Sequence, residues 1–234
     1  MNAIEVQGLS YTYPDGTKAI RDLNLHIEKN KRVAVLGANG SGKTTLFYHF
    51  NGLILPQEGQ VKIFGEEVSK ENVKTIRQKA GLLFDNPDNQ LFSTTVFNDI
   101  AFGPRNLGLD EKVVLERVQK AMDLVSINDL KHKAPYNLSL GQKKRVAIAG
   151  ILAMEPALLL LDEPFSGLDP RSHKHFLNIL DDLFFKDTTQ VISTHDVDMA
   201  YSWAEEVVIL DKGKIFVSKT VREAKNLLLG SLVQ

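Results

Sequence analysis

The stretch RVAVLGANGSGKTTLF, residues 32–47, decides the fold class of this chain. A short apolar run ends in glycine, and residues 46–50 begin a helical stretch. Between them GANGSGKT, residues 37–44, fits G-x-x-x-x-G-K-[ST], in which glycines let backbone N–H groups approach phosphate and the lysine reaches the β- and γ-phosphates. The strand-to-helix context favours this interpretation over a simple glycine-rich turn. The predicted phosphate-binding residues are Gly37, Ala38, Asn39, Gly40, Ser41, Gly42, Lys43, Thr44 and Thr45.

Short apolar strands alternate with helical patterns along the chain, which indicates a parallel sheet covered by helices. Residues 157–162 (ALLLLD) and 188–194 (TTQVIST) are predicted as buried strands. A helix is expected from residue 171 to about 185, and a hairpin over 206–218 with its turn at Lys212 and Gly213. The first 30 residues have a β pattern with a turn at 14–16, whereas the stretch from about 87 to 153 is mostly helical.

The pattern predicts an α/β fold with a mainly parallel sheet, and with its phosphate-loop motif it resembles the P-loop NTPases, which have a RecA-like core. An antiparallel β subdomain is expected at the N-terminus. We expect residues 1–234 to form a single ATPase domain. Within it, a helical subdomain at about 87–155 would be inserted between the core segments 1–86 and 156–234.

Composition excludes several classes of protein. Hydrophobic residues at 43% and charged residues at 24% are ordinary for a soluble globular chain. A net charge of −1 gives no general attraction to nucleic acid, and the lack of cysteine excludes disulfides and thiolate metal sites. Residues 1–16 lack the signal-peptide pattern, and no apolar run reaches the roughly 18 residues of a membrane span. We expect a protein inside the cell that reaches a membrane only through a partner.

A pair of carboxylates follows the apolar run of residues 157–161. In phosphate-loop NTPases, an aspartate at the end of a buried strand lies near Mg²⁺, which fits Asp162. Thr44 and Asp162 are therefore the predicted ligands of Mg²⁺, with the aspartate acting directly or through water. Glu163 would orient or deprotonate the attacking water. The alternative is two acids at an exposed strand end.

LSLGQ, residues 138–142, marks a second helix start, and three basic residues follow it at once. Because the helix dipole disfavours positive charge there, these bases predict an anion nearby. Taken alone, S-x-x-Q is also a capping box, which is a purely structural alternative. Two phosphate-binding helix starts in one chain suggest a composite site, in which this segment of one protomer faces the phosphate loop of another. The residues predicted to act in trans are Ser139, Leu140, Gly141 and Gln142.

These motifs together resemble the ABC-type ATPases, over nearly the whole chain and in the right order. The family's signature is usually LSGGQ, so Leu140 replaces a glycine and should have a negative φ. FSGLD, residues 165–169, resembles the D-loop and would place Asp169 at the dimer seam, although Asp169 could simply begin a helix. STHD, residues 193–196, carries the switch histidine His195, and YTYPDG, residues 11–16, resembles the A-loop. Tyr13 would then stack on adenine, unless it is a packed strand residue, and His195 would act at the γ-phosphate, unless its hydrogen bond is local.

Three longer strings resemble the energy-coupling-factor transporter ATPases, especially the cobalt/nickel branch. They are GLLFDNPDNQLF (81–92), AFGPRNLGLD (101–110) and GQKKRVAIAG (141–150). In the family a Q-loop glutamine follows GLLF, where it contacts Mg²⁺ or water and senses the membrane partner. Asp85 stands at that position, a shorter anionic residue that remains a suitable oxygen ligand for Mg²⁺. The aspartate could alter coupling to the membrane partner, weaken hydrolysis or be a harmless variation, and the sequence leaves these three outcomes open. Gln90, five residues on, is a poor candidate for the role of the family's glutamine.

The resemblance implies an ATP-binding and hydrolysing subunit of a membrane import complex for cobalt, nickel or a vitamin. Its cofactors would be ATP and Mg²⁺, with Glu163 and His195 as catalytic residues. Its partners would be a second ATPase protomer, either a copy or a related chain, and integral membrane subunits, with no nucleic acid. It would lie peripherally on the cytoplasmic face of the cell membrane.

Two alternative functions are open. A soluble ABC ATPase acting on nucleic acid or the ribosome usually needs a coiled-coil insertion or a second ATPase domain, and no basic stripe is present. The second alternative is a regulatory nucleotide-binding partner with weakened catalysis. Asp85 at the Q-loop position is the residue that favours it.

Overall fold

The computed structural model describes residues 1–184 and 187–223. The strands are β1 (Asn2–Thr12), β2 (Lys18–Glu28), β3 (Arg32–Leu36), β4 (Glu58–Ile63), β5 (Glu66–Glu67), β6 (Ala80–Leu83), β7 (Leu158–Asp162), β8 (Thr189–Thr194), β9 (Glu206–Asp211) and β10 (Lys214–Thr220). The helices are α1 (Lys43–Phe50), α2 (Val73–Lys79), α3 (Val96–Asn106), α4 (Glu111–Leu124), α5 (Leu140–Leu152), α6 (Pro170–Phe184) and α7 (Val197–Trp203). Short 3₁₀ turns span Pro87–Asn89, Asn128–Leu130 and Pro135–Asn137. The end predicted near residue 185 for α6, and residues 224–234 of the predicted domain, lie outside the described residues.

Two sheets confirm the predicted fold class. Strands β10-β9-β3-β8-β7-β6 form the larger sheet, in which only the edge strand β10 is antiparallel to its neighbour. Strands β2-β1-β4-β5 form a smaller antiparallel sheet. The predicted hairpin is present as β9–β10, and Lys212 and Gly213 both have the positive φ that a tight hairpin turn requires.

Strand β7 shows why the leucine run of residues 158–161 is apolar at every position. Side chains alternate across a strand, so Leu158 and Leu160 pack toward the antiparallel sheet and α1. Leu159 and Leu161 pack on the opposite face, against the cluster formed with the remaining helices. All four side chains are fully buried, as expected for a parallel strand covered on both faces.

Helices α3, α4 and α5 occupy the chain between β6 and β7. They pack together through buried side chains such as Ile100, Val114 and Ile148. Their position falls within the predicted helical insertion, although its status as a separate subdomain stays a prediction. Among the described residues, no helix has the length and apolarity that crossing a membrane requires.

The substitution Leu160→Ala tests the central strand. It should lower the free energy of unfolding by about 2–5 kcal/mol, because a buried leucine leaves a cavity between the two sheets. Chemical denaturation followed by circular dichroism measures this loss. Leu115→Ala on α4, where the side chain is 47% exposed, is the control and should stay within about 0.5 kcal/mol. A loss at Leu160 as small as the control's would contradict the assignment.

Candidate nucleotide site

The loop between β3 and α1 has the backbone shape that a phosphate cradle needs. Gly40 and Gly42 have φ values of 78° and 108°, which residues with side chains rarely adopt. A Cβ at Gly42 would also lie 2.6 Å from the carbonyl oxygen of Ala19, so no larger residue fits. Helix α1 begins at Lys43, and the unpaired N–H groups of its first turn face this loop.

Lys43 places a buried positive charge at the centre of this loop. Its side chain is only 6% exposed, and Nζ donates hydrogen bonds to the carbonyl oxygens of Gly37 at 2.7 Å and Ala38 at 3.3 Å. Nζ also lies 3.5 Å from Glu163 Oε1. The loop lysine and the acid after β7 are therefore neighbours.

Asp162 joins the ends of three adjacent strands. Its carboxylate, 2% exposed, accepts a hydrogen bond from Thr44 Oγ1 at 2.6 Å and another from the Ser193 hydroxyl. Thr44 follows β3, Asp162 ends β7 and Ser193 lies in β8 between them. Ser193 has no role that is predicted from the sequence, where its only signal is its place in the STHD string.

The oxygens of Thr44 and Asp162 fit a magnesium ion that takes its other ligands from the nucleotide. No cation of residues 1–184 or 187–223 lies within ion-pair distance of Asp162. The same residues contain no cluster of three or more acidic, histidine or cysteine side chains that could enclose a metal. Mg²⁺ is commonly held by one or two protein oxygens together with substrate phosphates and water.

Glu163 has a strained backbone, and Lys43 and His195 both lie beside its carboxylate. Its φ of 42° is in the left-handed region, a conformation that costs a non-glycine residue of order 1 kcal/mol and recurs at functional sites. Its N–H donates to Ser193 Oγ at 3.0 Å, and its carboxylate lies between Lys43 and His195. His195 Nδ1 is 3.1 Å from Oε2, a distance at which the ring donates a hydrogen bond when its proton is on Nδ1.

Tyr13 reaches the far end of the phosphate loop. Its hydroxyl lies 3.0 Å from Thr45 Oγ1, and its ring makes an edge contact with Tyr11 at a centroid distance of 5.1 Å. Tyr11 in turn packs edge-on against the buried His49. The position of Tyr13 is therefore compatible with stacking on adenine, and that role stays a prediction.

The capping box at the start of α5 is formed. Ser139 Oγ accepts from the N–H of Gln142 at 3.4 Å, and the Gln142 side chain accepts from the N–H of Ser139 at 3.0 Å. Leu140 has no positive φ, as expected, and its side chain is 41% exposed. Among the described residues, no hydrogen bond or ion pair joins this segment to the phosphate loop. A role of the segment in trans stays a prediction.

The inference that three bases at this helix start need an external anion was wrong. Lys143 pairs with Asp88 at 2.7 Å, and Arg145 donates to the carbonyl oxygens of Val125 and Ser126. Lys144 turns inward and donates to carbonyl oxygens of the loop after β7. Each base has partners within its own chain, which the sequence pattern could not reveal.

Asp85 lies beyond the end of β6, next to β7 in the sheet, and is exposed. Burial raises the pKa of the Tyr48 phenol, and the charges of Asp162 and Asp85 act in the same direction. Gln90 does not replace it there. Its side chain accepts from the N–H of Phe84 at 3.3 Å and donates to the carbonyl of Ala147 at 3.4 Å.

Asp169 caps helix α6. Its carboxylate accepts from the N–H groups of Arg171 at 2.9 Å and Ser172 at 3.1 Å, and from Ser172 Oγ at 2.6 Å. The hydrogen bond from the Ser172 side chain is the main reason that its pKa is lowered. The helix-start role is therefore present, and a place at a dimer seam stays a prediction.

An apolar groove of about 670 Å³ opens between α2, the segment after β6, and α3. Phe92 and Phe102, 65% and 47% exposed, meet edge-on at its rim with ring centroids 4.7 Å apart. From the sequence alone, the apolar residues of 91–102 could form either core or a partner groove, and the structure shows some of each. Val96 and Ile100 are fully buried, whereas the two phenylalanines face outward.

Comparisons with known proteins agree with this geometry. A family model described as ABC transporter matches residues 20–166. The energy-coupling factor transporter ATP-binding protein EcfA of Carboxydothermus hydrogenoformans is 48% identical over 91% of this chain and 79% of its own length. EcfA of Methanothermobacter thermautotrophicus is 50% identical over 94% of this chain and 71% of its own length.

Solved structures of ATP-binding cassettes have the same fold as this chain. CbiO1 from Clostridium perfringens, described as part of the ABC transporter complex cbiONQ, has a TM-score of 0.85 at 37% identity, covering 96% of this chain and 91% of its own. A dimeric ATP-binding cassette bound to ADP and Pi in a post-hydrolysis state has a TM-score of 0.86 at 25% identity, covering 94% and 99%. The chain therefore belongs to the ABC transporter family of ATP-binding proteins, whose members hydrolyse ATP.

Proposed function

We propose that this chain is the ATP-hydrolysing subunit of an energy-coupling-factor import complex, in which closure of an ATPase dimer drives uptake of cobalt, nickel or a vitamin. The observation that carries the proposal is the meeting of two pairs of residues across the sheet. Lys43 and Thr44, which follow β3, contact Glu163 and Asp162 at the end of β7, with β8 between the two strands. EcfA relatives and the cbiO1 structure support the type of complex.

The geometry suggests how each residue would act on ATP. The N–H groups of residues 37–45 would cradle the triphosphate, and Lys43 would exchange its bonds to loop carbonyls for the β- and γ-phosphates. Tyr13 would stack on adenine. Thr44 and Asp162 would hold Mg²⁺, whose charge offsets that of the phosphate oxygens.

Glu163 would polarise the attacking water, because its carboxylate is held close to Lys43 and therefore to the γ-phosphate. His195, in contact with the same carboxylate, would orient it and donate toward phosphate. Electrostatic positioning of this kind is the main means by which enzymes accelerate phosphoryl transfer.

The second protomer would complete the site with its Ser139 segment. The first N–H groups of α5 lack intrahelical partners and, with the helix dipole, favour an anion. Asp169 would lie at the seam. The dimeric cassette among the solved structures supports this arrangement, and the partner would be a second copy or a related chain.

The groove with Phe92 and Phe102 on its rim would receive an integral membrane subunit, which would hold the chain at the cytoplasmic face. Exposed apolar grooves of this kind mark sites of protein interaction. Asp85, which follows the groove residue Phe84 in the chain, would link that subunit to the nucleotide. The helical segment 87–155 would then act as a subdomain that moves with the membrane partner.

Substituting Glu163→Gln tests the catalytic assignment. The variant should bind ATP and dimerise, yet hydrolyse it at least about a hundredfold more slowly, because the amide cannot accept the proton of water. Phosphate release, a fluorescent-nucleotide titration and size-exclusion chromatography measure these three properties. Glu116→Gln on α4 is the control and should hydrolyse normally; normal turnover by the Glu163 variant would remove that residue from the mechanism.

Asp85→Gln tests the departure from the family pattern. Loss of an anionic oxygen should raise the Mg²⁺ concentration for half-maximal hydrolysis several-fold, whereas Asp110→Asn should not. A magnesium titration at fixed ATP gives this value. If the original chain hardly hydrolyses ATP and Asp85→Gln restores turnover, the weakened regulatory partner becomes the better interpretation.

Phe102→Asp tests the docking groove. A charge at the rim should abolish co-purification with the membrane subunits, and Phe216→Asp on β10, at a site that is 71% exposed, should not. Equal recovery of the complex with both variants would argue against the groove.

Metal and vitamin analysis of the intact complex would identify the cargo, and stimulation of hydrolysis by nucleic acid would favour the soluble alternative.

A further inference from the structure

Lys144 is a buried lysine whose charge has no ion-pair partner among the described residues. It lies in the second turn of α5 and is 1% exposed. Its Nζ donates to the carbonyl oxygens of Glu163 at 2.9 Å, Pro164 at 3.2 Å and Ser166 at 2.9 Å. Three ammonium donors thus meet three neutral acceptors in one short loop.

Burial of this ammonium is unfavourable by itself. Burial lowers the pKa of Lys144, and the carboxylates of Asp85, Glu163 and Asp162 act in the opposite direction from a distance. A lysine is rarely buried so fully unless its hydrogen bonds are satisfied. What Lys144 provides is three directed donors to the loop that begins at Glu163.

The contact is made at the strained residue. Ser193 Oγ accepts from the N–H of Glu163, and Lys144 Nζ donates to its carbonyl oxygen. The peptide groups on both sides of Glu163 are therefore fixed from outside the loop. Left-handed backbone at a non-glycine residue persists only when its surroundings hold it there.

A second contact lies one turn earlier on the same face of α5. A Cβ at Gly167 would approach within 2.7 Å of Leu140 Cδ2, so the leucine packs directly on that glycine. A Cβ at Gly141 would lie 2.9 Å from Ser172 Oγ at the start of α6. The tip of α5 and the loop of residues 163–169 therefore form one packed unit.

We propose that Lys144 is a positioning residue, which holds Glu163 in its catalytic orientation and ties the Ser139 tip of α5 to the loop after β7. Within the proposed dimer, that tip faces the partner's nucleotide while Glu163 faces its own. A movement of the α5 tip at the partner's nucleotide would thus be transmitted through Lys144 to Glu163 at the chain's own nucleotide. The inference rests on the proposed function.

The test compares Lys144→Met with Lys144→Gln. The methionine variant should lower kcat by about ten- to a hundredfold and leave the KM for ATP within about threefold, since a misplaced catalytic group affects the reaction more than binding. The glutamine variant should keep a clearly larger kcat, because the carbonyls need donors rather than charge. Lys120→Met, on the exposed face of α4, is the matched control and should resemble the original chain.

Hydrogen exchange adds a readout that does not depend on turnover. Amides of residues 163–169 should exchange at least about tenfold faster in Lys144→Met than in the original chain, with β7 and β8 unchanged. In the kinetic comparison, kcat is expressed per molecule that is competent to bind a fluorescent ATP analogue. Partial misfolding of a variant is therefore not counted as slow catalysis.

A kcat within twofold of the original chain for Lys144→Met, or equal losses for methionine and glutamine, would overturn the inference. Unchanged exchange in residues 163–169 would do the same even if the methionine variant is too unstable for kinetics. Failure of the proposed function would look different, since Glu163→Gln would then keep its turnover. An inactive Glu163→Gln with a fully active Lys144→Met would reject this inference alone.

Discussion

The buried carboxylate of Asp162, bonded to the hydroxyls of Thr44 and Ser193, is the interaction on which the rest of the site depends. It joins the ends of β3, β7 and β8, which are neighbours in the parallel sheet. Because side-by-side parallel strands end at one edge, the loops that follow them must meet there. The fully buried leucines of β7 fix that edge by packing on both faces of the sheet.

Glu163 follows directly from this arrangement, yet its orientation needs more than the sheet. Its backbone is strained, and it is tied by Ser193 on one side and by Lys144 on the other. Strain at one residue is tolerable in a fold whose other contacts determine the conformation. The same bonds make the start of α5 part of the support of the loop after β7. In the proposed dimer, they would connect the two nucleotide sites.

Two features of α5 show how a local pattern can have more than one physical cause. The Ser139–Gln142 capping box satisfies helix N–H groups within the chain, so the serine alone does not prove a phosphate partner. The three bases after it all have internal partners, which removes the electrostatic argument for an anion. Membership of the ABC transporter family and the unpaired N–H groups at the start of α5 are what still support the proposed action of this segment in trans.

The amino-acid sequence alone was enough to predict the glycine-rich loop between β3 and α1, the fully buried strands and the acids after β7, because these features depend on local backbone shape and on burial periodicity. It also determined that Leu140 has ordinary backbone geometry. Folding was needed to show that Ser193 bonds to Asp162, that the Gln90 side chain donates to Ala147, and that Lys144 points inward rather than toward a ligand. These facts are contacts between residues far apart in the chain, and a hydrogen-bonding side chain does not carry in its own sequence neighbourhood the identity of the partner that folding brings to it.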